Sequence, residues 1–152
     1  MKRNFLKIEI SELIKMYLIA KNKYRFDIPI SLQRNHLLDI WHLDKAHWFT
    51  LCGVKVKEVF SKSSELVRFN LERFGHTQEV TIEQDRNVTK VNVNNCMLIF
   101  TIEEEKENHH FLNVEMRSDY RVLRILWPII QLVFLLTVIE DIVYYKKSET
   151  LA

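Results

Sequence analysis

Hydrophobic and polar residues alternate with a period of two through the middle of the chain, beginning after Leu51. Alternation of this kind predicts β-strands that bury one face and expose the other. Turn-forming residues separate the runs, for example Asp85-Arg86-Asn87 and Asn94-Asn95. The pattern predicts an antiparallel meander of about six strands. The first four strands are marked by the apolar residues Val54 and Val56, Val67, Phe69 and Leu71, Val80 and Ile82, and Val91 and Val93; the last two strands are Met97 to Ile102 and Phe111 to Met116.

Before the meander, the spacing of apolar residues changes twice. Ile8 to Lys21 has apolar residues at helical intervals, which predicts an N-terminal helix within residues 1–23. Tyr24 to Leu32 alternates, and Pro29 falls on its outer side, so we predict an edge strand there. A second helix is predicted over residues 33–48, so that strands and this helix together fill residues 24–118.

After the meander, Tyr120 to Lys147 predicts a long C-terminal helix within residues 119–147, which would cover the buried face of the sheet. Pro128 either starts this helix or kinks it. Ile125 to Ile139 is apolar apart from Pro128, Gln131 and Thr137. At about 15 residues the run is short for a membrane span. A buried helix, or one that touches a membrane surface, fits it better.

Composition limits the class of protein. The chain has 152 residues, of which 47% are apolar and 28% charged, as expected for one globular domain covering residues 1–152. A net charge of +2 gives no case for nucleic-acid binding. The charged N-terminus does not resemble a signal peptide, and two cysteines suggest a reducing compartment, so we expect a cytoplasmic location. The basic first 25 residues leave contact with a membrane surface or an acidic partner open.

The richest chemistry lies between Asn35 and Trp48, where Asn35, Asp39 and His42 share one face of a helix. His47 follows five residues later, roughly 140° round an ideal helix. The two imidazoles therefore converge only if the helix breaks after His42. Two neutral imidazoles and a carboxylate with open positions are the ligand set of non-haem Fe(II) oxygenases.

The spacing Asn-x3-Asp-x2-His-x4-His resembles the mononuclear-iron motif of Rieske-type non-haem iron oxygenases at Asn35, Asp39, His42 and His47. The resemblance implies that both histidines bind Fe(II), and that Asp39 hydrogen-bonds to a ligand histidine and helps to carry electrons. Asn35 would lie near the site without binding the metal. The family's third ligand is an aspartate on the C-terminal helix, which implies Asp141 here.

The catalytic domain of that family has the helix-grip (START-like) fold, an α+β fold in which a curved antiparallel sheet wraps around a long C-terminal helix. The predicted order of elements is similar to it. The resemblance implies insertion of O2 into an apolar or aromatic substrate, in a cavity between sheet and helix. The wall residues expected for that cavity are Trp127, Ile130, Phe134 and Val138.

A Rieske cluster needs Cys-x-His ligand pairs, but Val54 follows Cys52 and Leu98 follows Cys96 at the required spacing. The chain shown here therefore carries no Rieske 2Fe–2S cluster, and we expect electrons to come from a separate electron-transfer protein. The other expected partners are O2 and an apolar small molecule, and formation of a homo-oligomer stays open.

Two other functions remain open. The chain could be a non-catalytic carrier of a lipid or other hydrophobic ligand, with structural histidines and with Asp141 as a surface carboxylate. It could also be an interaction subunit that docks through its apolar helix, in which case truncation after Asp119 would leave a folded sheet. We expect His36 to be structural or exposed, and His109 and His110 to lie in a solvated turn.

Overall fold

A computed structural model describes residues 16–47, 49–106 and 109–150. Over these residues the chain forms seven strands, three α-helices and a 3-10 helix at Arg121–Leu126. The strands are β1 (Tyr17–Phe26), β2 (Val54–Lys62), β3 (Leu66–Arg73), β4 (His76–Asp85), β5 (Val88–Val93), β6 (Cys96–Lys106) and β7 (His109–Ser118). The helices are α1 (Ile30–Leu38), α2 (His42–Lys45) and α3 (Trp127–Thr150).

The seven strands form one antiparallel sheet in the order β1-β7-β6-β5-β4-β3-β2. From β2 to β7 this is the predicted six-strand meander, and β1 adds to the free edge of β7. The β3–β4 turn places Phe74 at φ 49° and Gly75 at φ 80°. Positive φ at both central residues is the requirement of a type I′ hairpin, whose twist matches that of the strands.

Two groups of apolar side chains form the core, each beneath a different helical segment. The first packs Val138 of α3 on β1, β6 and β7, and the second packs Ile40, between α1 and α2, on β3 and β4. The α1–α2 segment therefore covers the buried face of the sheet together with α3, whereas we had predicted that the C-terminal helix alone would cover it. The two groups are Phe26, Ile102, Leu112, Val114 and Val138, and Ile40, Val67, Phe69, Val80 and Ile82.

The helix predicted within residues 1–23 is wrong from Tyr17 onward, because that segment is the start of β1. Hydrogen bonding to β7 along its whole length outweighs the weak helical spacing of its apolar residues. Met16 is a bend, and residues 1–15 of the predicted helix lie outside the described residues. The edge-strand prediction is correct up to Phe26 but wrong beyond it, since α1 begins at Ile30, directly after Pro29.

The helix predicted over 33–48 is interrupted between Leu38 and His42, one turn before the expected break after His42. At the other end of the sheet, His109 and His110 begin β7 instead of forming a solvated turn. His110 is fully buried and stacks on Phe26. Burial lowers the pKa of its imidazole.

Candidate metal centre

Three histidines and Asp141 meet where α1 and α2 cross α3. His36 lies in the last turn of α1, His42 begins α2, and His47 follows that short helix. The chain bends between the two helices because Asp39 adopts an extended conformation with ψ 93°. All three imidazoles are buried.

Asp141 is the common partner of two of these rings. Its Oδ1 accepts a hydrogen bond from His36 Nε2 at 2.9 Å and lies 3.3 Å from His47 Nε2. The carboxylate is largely shielded from solvent, with 13% of its side chain exposed. The two imidazoles therefore take the place of water around this carboxylate.

His42 lies between the other two histidines, with its ring centroid 3.8 Å from that of His36 and 5.1 Å from that of His47. Its Nδ1 donates to the main-chain carbonyl of Asp39. Because a carbonyl only accepts, the proton is on Nδ1, and Nε2 keeps its lone pair. Burial, followed by the neighbouring His36, lowers the pKa of His42 to about 4, so the ring is neutral at pH 7.

His36, His42 and Asp141 each offer one ligand atom, and these three atoms lie within 4.8 Å of one another. Ligand atoms about 2.1 Å from a single ion are separated by roughly 3 to 4 Å, so a small movement would bring all three onto one ion. Imidazole nitrogens and a carboxylate oxygen suit Fe(II) and Zn(II) alike. These three residues are therefore candidates to hold one transition-metal ion together.

Glu140, the neighbour of Asp141, ties the segment after His47 to α3. Its Oε1 accepts from the amide of Phe49 at 2.6 Å, and its Oε2 accepts from the Thr50 hydroxyl. His47 Nδ1 lies 3.4 Å from the same Oε2. His47 thus presents one nitrogen to each of two carboxylates, although a neutral ring can donate from only one.

Two buried polar groups near His36 have no hydrogen-bond partner among the described residues. They are the hydroxyl of Tyr145, whose ring centroid is 4.6 Å from that of His36, and the side-chain amide of Gln33, one turn earlier on α1. Burial and the charge of Asp141 raise the pKa of Tyr145, so its phenol stays protonated. It can donate a hydrogen bond to a molecule held beside the cluster.

Only some of the residues taken from the motif lie in the cluster. His42, His47 and Asp141 come together as the resemblance implied. Asn35 lies on the exposed side of α1. The Asp39 carboxylate accepts from the amide of Trp41, so the main-chain carbonyl of Asp39, and not its side chain, orients His42.

Sequence reasoning missed His36, which we had expected to be structural or exposed. It also missed the roles of Glu140 and Tyr145. The sequence offered one signal for His36. Asp39 and Ile40 follow it by three and four residues, which places His36 on the helical face that these two residues share. Its contact with Asp141, 105 residues away, depends on how two helices cross.

An apolar cavity of about 310 Å³ lies between α3 and the strands β5, β6 and β7. Of the four wall residues predicted, Ile130 and Phe134 line it, Trp127 is exposed, and Val138 belongs to the core. The full lining is Val91, Val93, Cys96, Leu98, Met116, Ile129, Ile130, Val133 and Phe134.

The cavity and the metal centre lie at different levels of α3. Phe134 and Asp141 are seven residues apart, which is about 10 Å along a helix axis. Val138, packed with Phe26 and Ile102, fills the space between them. A molecule in the cavity would therefore be separated from the cluster by one layer of core side chains.

No known protein family matches the sequence, and no curated protein matches it. Solved structures do resemble the fold. The quaternary ammonium Rieske monooxygenase CntA superposes with a TM-score of 0.57 at 10% identity, over 70% of this chain and 31% of that protein. This chain thus corresponds to about a third of CntA.

Two further structures match over more of their own length. A hypothetical protein of Helicobacter pylori has a TM-score of 0.58 at 11% identity, over 82% of this chain and 86% of that one. Ara h 8.0201 has a TM-score of 0.50 at 8% identity, over 86% of this chain and 99% of that one. At these identities the likeness establishes the helix-grip fold alone.

Proposed function

We propose that this chain binds one Fe(II) ion and is the catalytic component of a non-haem oxygenase that acts on an apolar substrate. The observation that carries the proposal is the buried set of His36, His42 and Asp141, whose ligand atoms lie within 4.8 Å of one another. Facial coordination by two imidazoles and a carboxylate leaves positions open for O2.

The second imidazole in this proposal is His36 instead of His47, which the motif implied. Both nitrogens of His47 face carboxylates, Nδ1 that of Glu140 and Nε2 that of Asp141, whereas among the described carboxylates His36 contacts that of Asp141 alone. The His47 arrangement is the one expected of a residue that orients a ligand carboxylate. His42 offers a neutral Nε2 because Asp39 holds its Nδ1 proton.

When bound, Fe(II) would supply the activation of O2. The chain's own residues hold the carboxylate and imidazoles in place, exclude water, and present the protonated phenol of Tyr145 beside His36. Electrons would come from outside the residues shown here, since the Cys-x-His pairs of a Rieske cluster do not occur in this sequence.

The test is the iron content of anaerobically reconstituted protein, with His36→Ala, His42→Ala, Asp141→Ala and His47→Ala compared. We expect near one iron per chain in the wild type, and loss of iron in the first three variants. His47→Ala should keep iron with a 10–100-fold lower affinity, as for other residues that support a ligand. Loss of iron in His47→Ala with retention in His36→Ala would restore the triad of the motif, and no iron in the wild type would refute the proposal.

The separation between cavity and cluster favours a second candidate, a carrier of a hydrophobic ligand. The cavity is lined by apolar side chains and includes none of the residues of the metal centre. A carrier would bind an apolar fluorescent probe equally well in the wild type and in His42→Ala. An oxygenase would show coupling, because a substrate beside the ion changes its surroundings.

A further inference from the structure

The outward face of α3 and of the 3-10 helix before it is apolar and exposed. The stretch Arg121–Lys147 is long and apolar enough to cross a membrane by length and composition, and only 6% of its most apolar 18-residue window is buried. The exposed side chains are Val122, Ile125, Leu126, Trp127, Ile129, Leu132, Val133, Leu135, Ile139 and Val143. A contiguous patch of this kind marks an interaction surface.

The polar groups within this apolar stretch are turned to the protein's own backbone. The Gln131 amide donates to the carbonyl of Lys21, and the Thr137 hydroxyl donates to the carbonyl of Val133. Between Ile125 and Ile139 the sequence has no charged residue. The face can therefore enter a medium without water and leave neither of these side chains unpaired.

The N-terminal end of the stretch has a different chemistry. Arg121 and Arg124 are exposed there, in the same segment as the exposed rings of Tyr120 and Trp127, and the Arg124 guanidinium lies 5.9 Å from the ring of Tyr17. Cations next to aromatic rings are typical of the boundary between lipid headgroups and acyl chains. Trp127, with half of its surface exposed, is placed to enter that boundary.

The other end of α3 is fixed to the protein. Val138, Glu140 and Tyr145 are buried against the sheet and the metal centre, and Glu140 holds the loop at Thr50. The helix could cross a bilayer only by withdrawing these residues from the fold. It can instead lie along a membrane surface with its outward face inserted.

We propose that this face binds the surface of a bilayer that contains anionic lipids, independently of whether the cluster binds iron. A second copy of the chain would cover one row of side chains along the helix. The exposed apolar side chains also include Leu126, Val133 and Leu135, which lie on either side of such a row. Ile129 and Val133 are exposed and also line the cavity, so the cavity lies directly beside the face that would enter the membrane.

The test is flotation of the full chain with vesicles of phosphatidylcholine, with and without phosphatidylserine. We expect the wild type to float with the phosphatidylserine vesicles, and added salt to weaken the binding. Leu132→Lys should lower the bound fraction more than tenfold. Arg121→Glu with Arg124→Glu should remove the preference for phosphatidylserine. The control is Phe60→Lys, which places a lysine at a similarly exposed apolar position on β2 and should bind like the wild type.

Circular dichroism of each variant checks that its fold is intact. Absence of flotation with either vesicle would overturn the proposal. In that case a concentration-dependent dimer, lost in Leu132→Lys, would assign the face to a second copy. The proposal would also be overturned, in favour of a membrane span, if the bound chain resisted alkaline extraction and α3 were protected from proteases added on either side of the membrane.

Discussion

The lowered pKa of His42 makes stability depend on pH. The imidazole titrates at about 4 in the folded chain and near 6.5 when unfolded, so the unfolded chain binds more protons between these values. Its contribution is fully present above pH 6.5 and is lost as the pH falls toward 4. We expect the free energy of unfolding of metal-free protein to drop by on the order of 3 kcal/mol over this range.

Urea unfolding in a chelating buffer at several pH values measures this loss. His42→Gln removes one titrating ring and should weaken the dependence, leaving the part due to buried His110, whereas His76→Gln, at an exposed position on β4, should leave it unchanged. If the free energy of unfolding depended equally on pH in the wild type and in His42→Gln, the His42 ring would be hydrated in solution.

The side chain of Gln33 gives a second prediction at this scale. It is fully buried in α1, and neither amide atom has a partner among the described residues. Gln33→Met keeps the length and removes the desolvated polar group, so we expect stability to rise by about 1 kcal/mol. Gln78→Met, at an exposed position on β4, should change it little. A loss of stability in Gln33→Met would mean that the amide is paired in solution.

Among the elements, the loop after α2 depends on a single carboxylate. Glu140 accepts hydrogen bonds from the amides of Phe49 and Thr50 and from the Thr50 hydroxyl. Glu140→Gln removes the charge and turns one donor toward other donors, so we expect a loss of about 2 kcal/mol. Hydrogen exchange at the two amides should accelerate. Glu72→Gln, whose carboxylate pairs with exposed Lys57, is the control, and equal losses in the two variants would contradict the role of Glu140.

The strands from β2 to β7 could be predicted because each alternates and a turn signal separates it from the next. The interruption before His42 could not. Leu37, Leu38 and Ile40 continue an apolar pattern, but the chain bends at Asp39, and Ile40 is completely buried in a cluster with Val67 and Phe69. That burial rests on tertiary contacts, and tertiary contacts override local spacing.

The candidate site could be predicted only in part, because it also depends on tertiary contacts. The motif spacing indicated His42 and His47, and the position of Asp141 near the end of the chain indicated the carboxylate. The choice between His36 and His47 as the second imidazole depends on the interruption of the helix, which aims His36 Nε2 at Asp141. No spacing within the sequence encodes that direction.

At the scale of the whole molecule, α3 joins an apolar cavity, a layer of core and a cluster of imidazoles. Because Val138 and its neighbours separate the cavity from the cluster, filling the cavity should leave the metal centre intact. Val93→Phe projects a larger side chain into the cavity from β5. We expect it to abolish binding of an apolar fluorescent probe and to leave iron content unchanged. Val59→Phe, at an exposed position on β2, is the control and should bind both normally.

The wild type then separates the two functions. Addition of the probe to iron-loaded protein should leave the iron affinity unchanged if ligand and metal remain one core layer apart, as in a carrier. A change of tenfold corresponds to about 1.4 kcal/mol of coupling between the sites. Coupling of that size requires the layer around Val138 to open, so that the ligand reaches the imidazoles. That result would favour the oxygenase over the carrier, because it would show that a ligand in the cavity reaches the imidazoles.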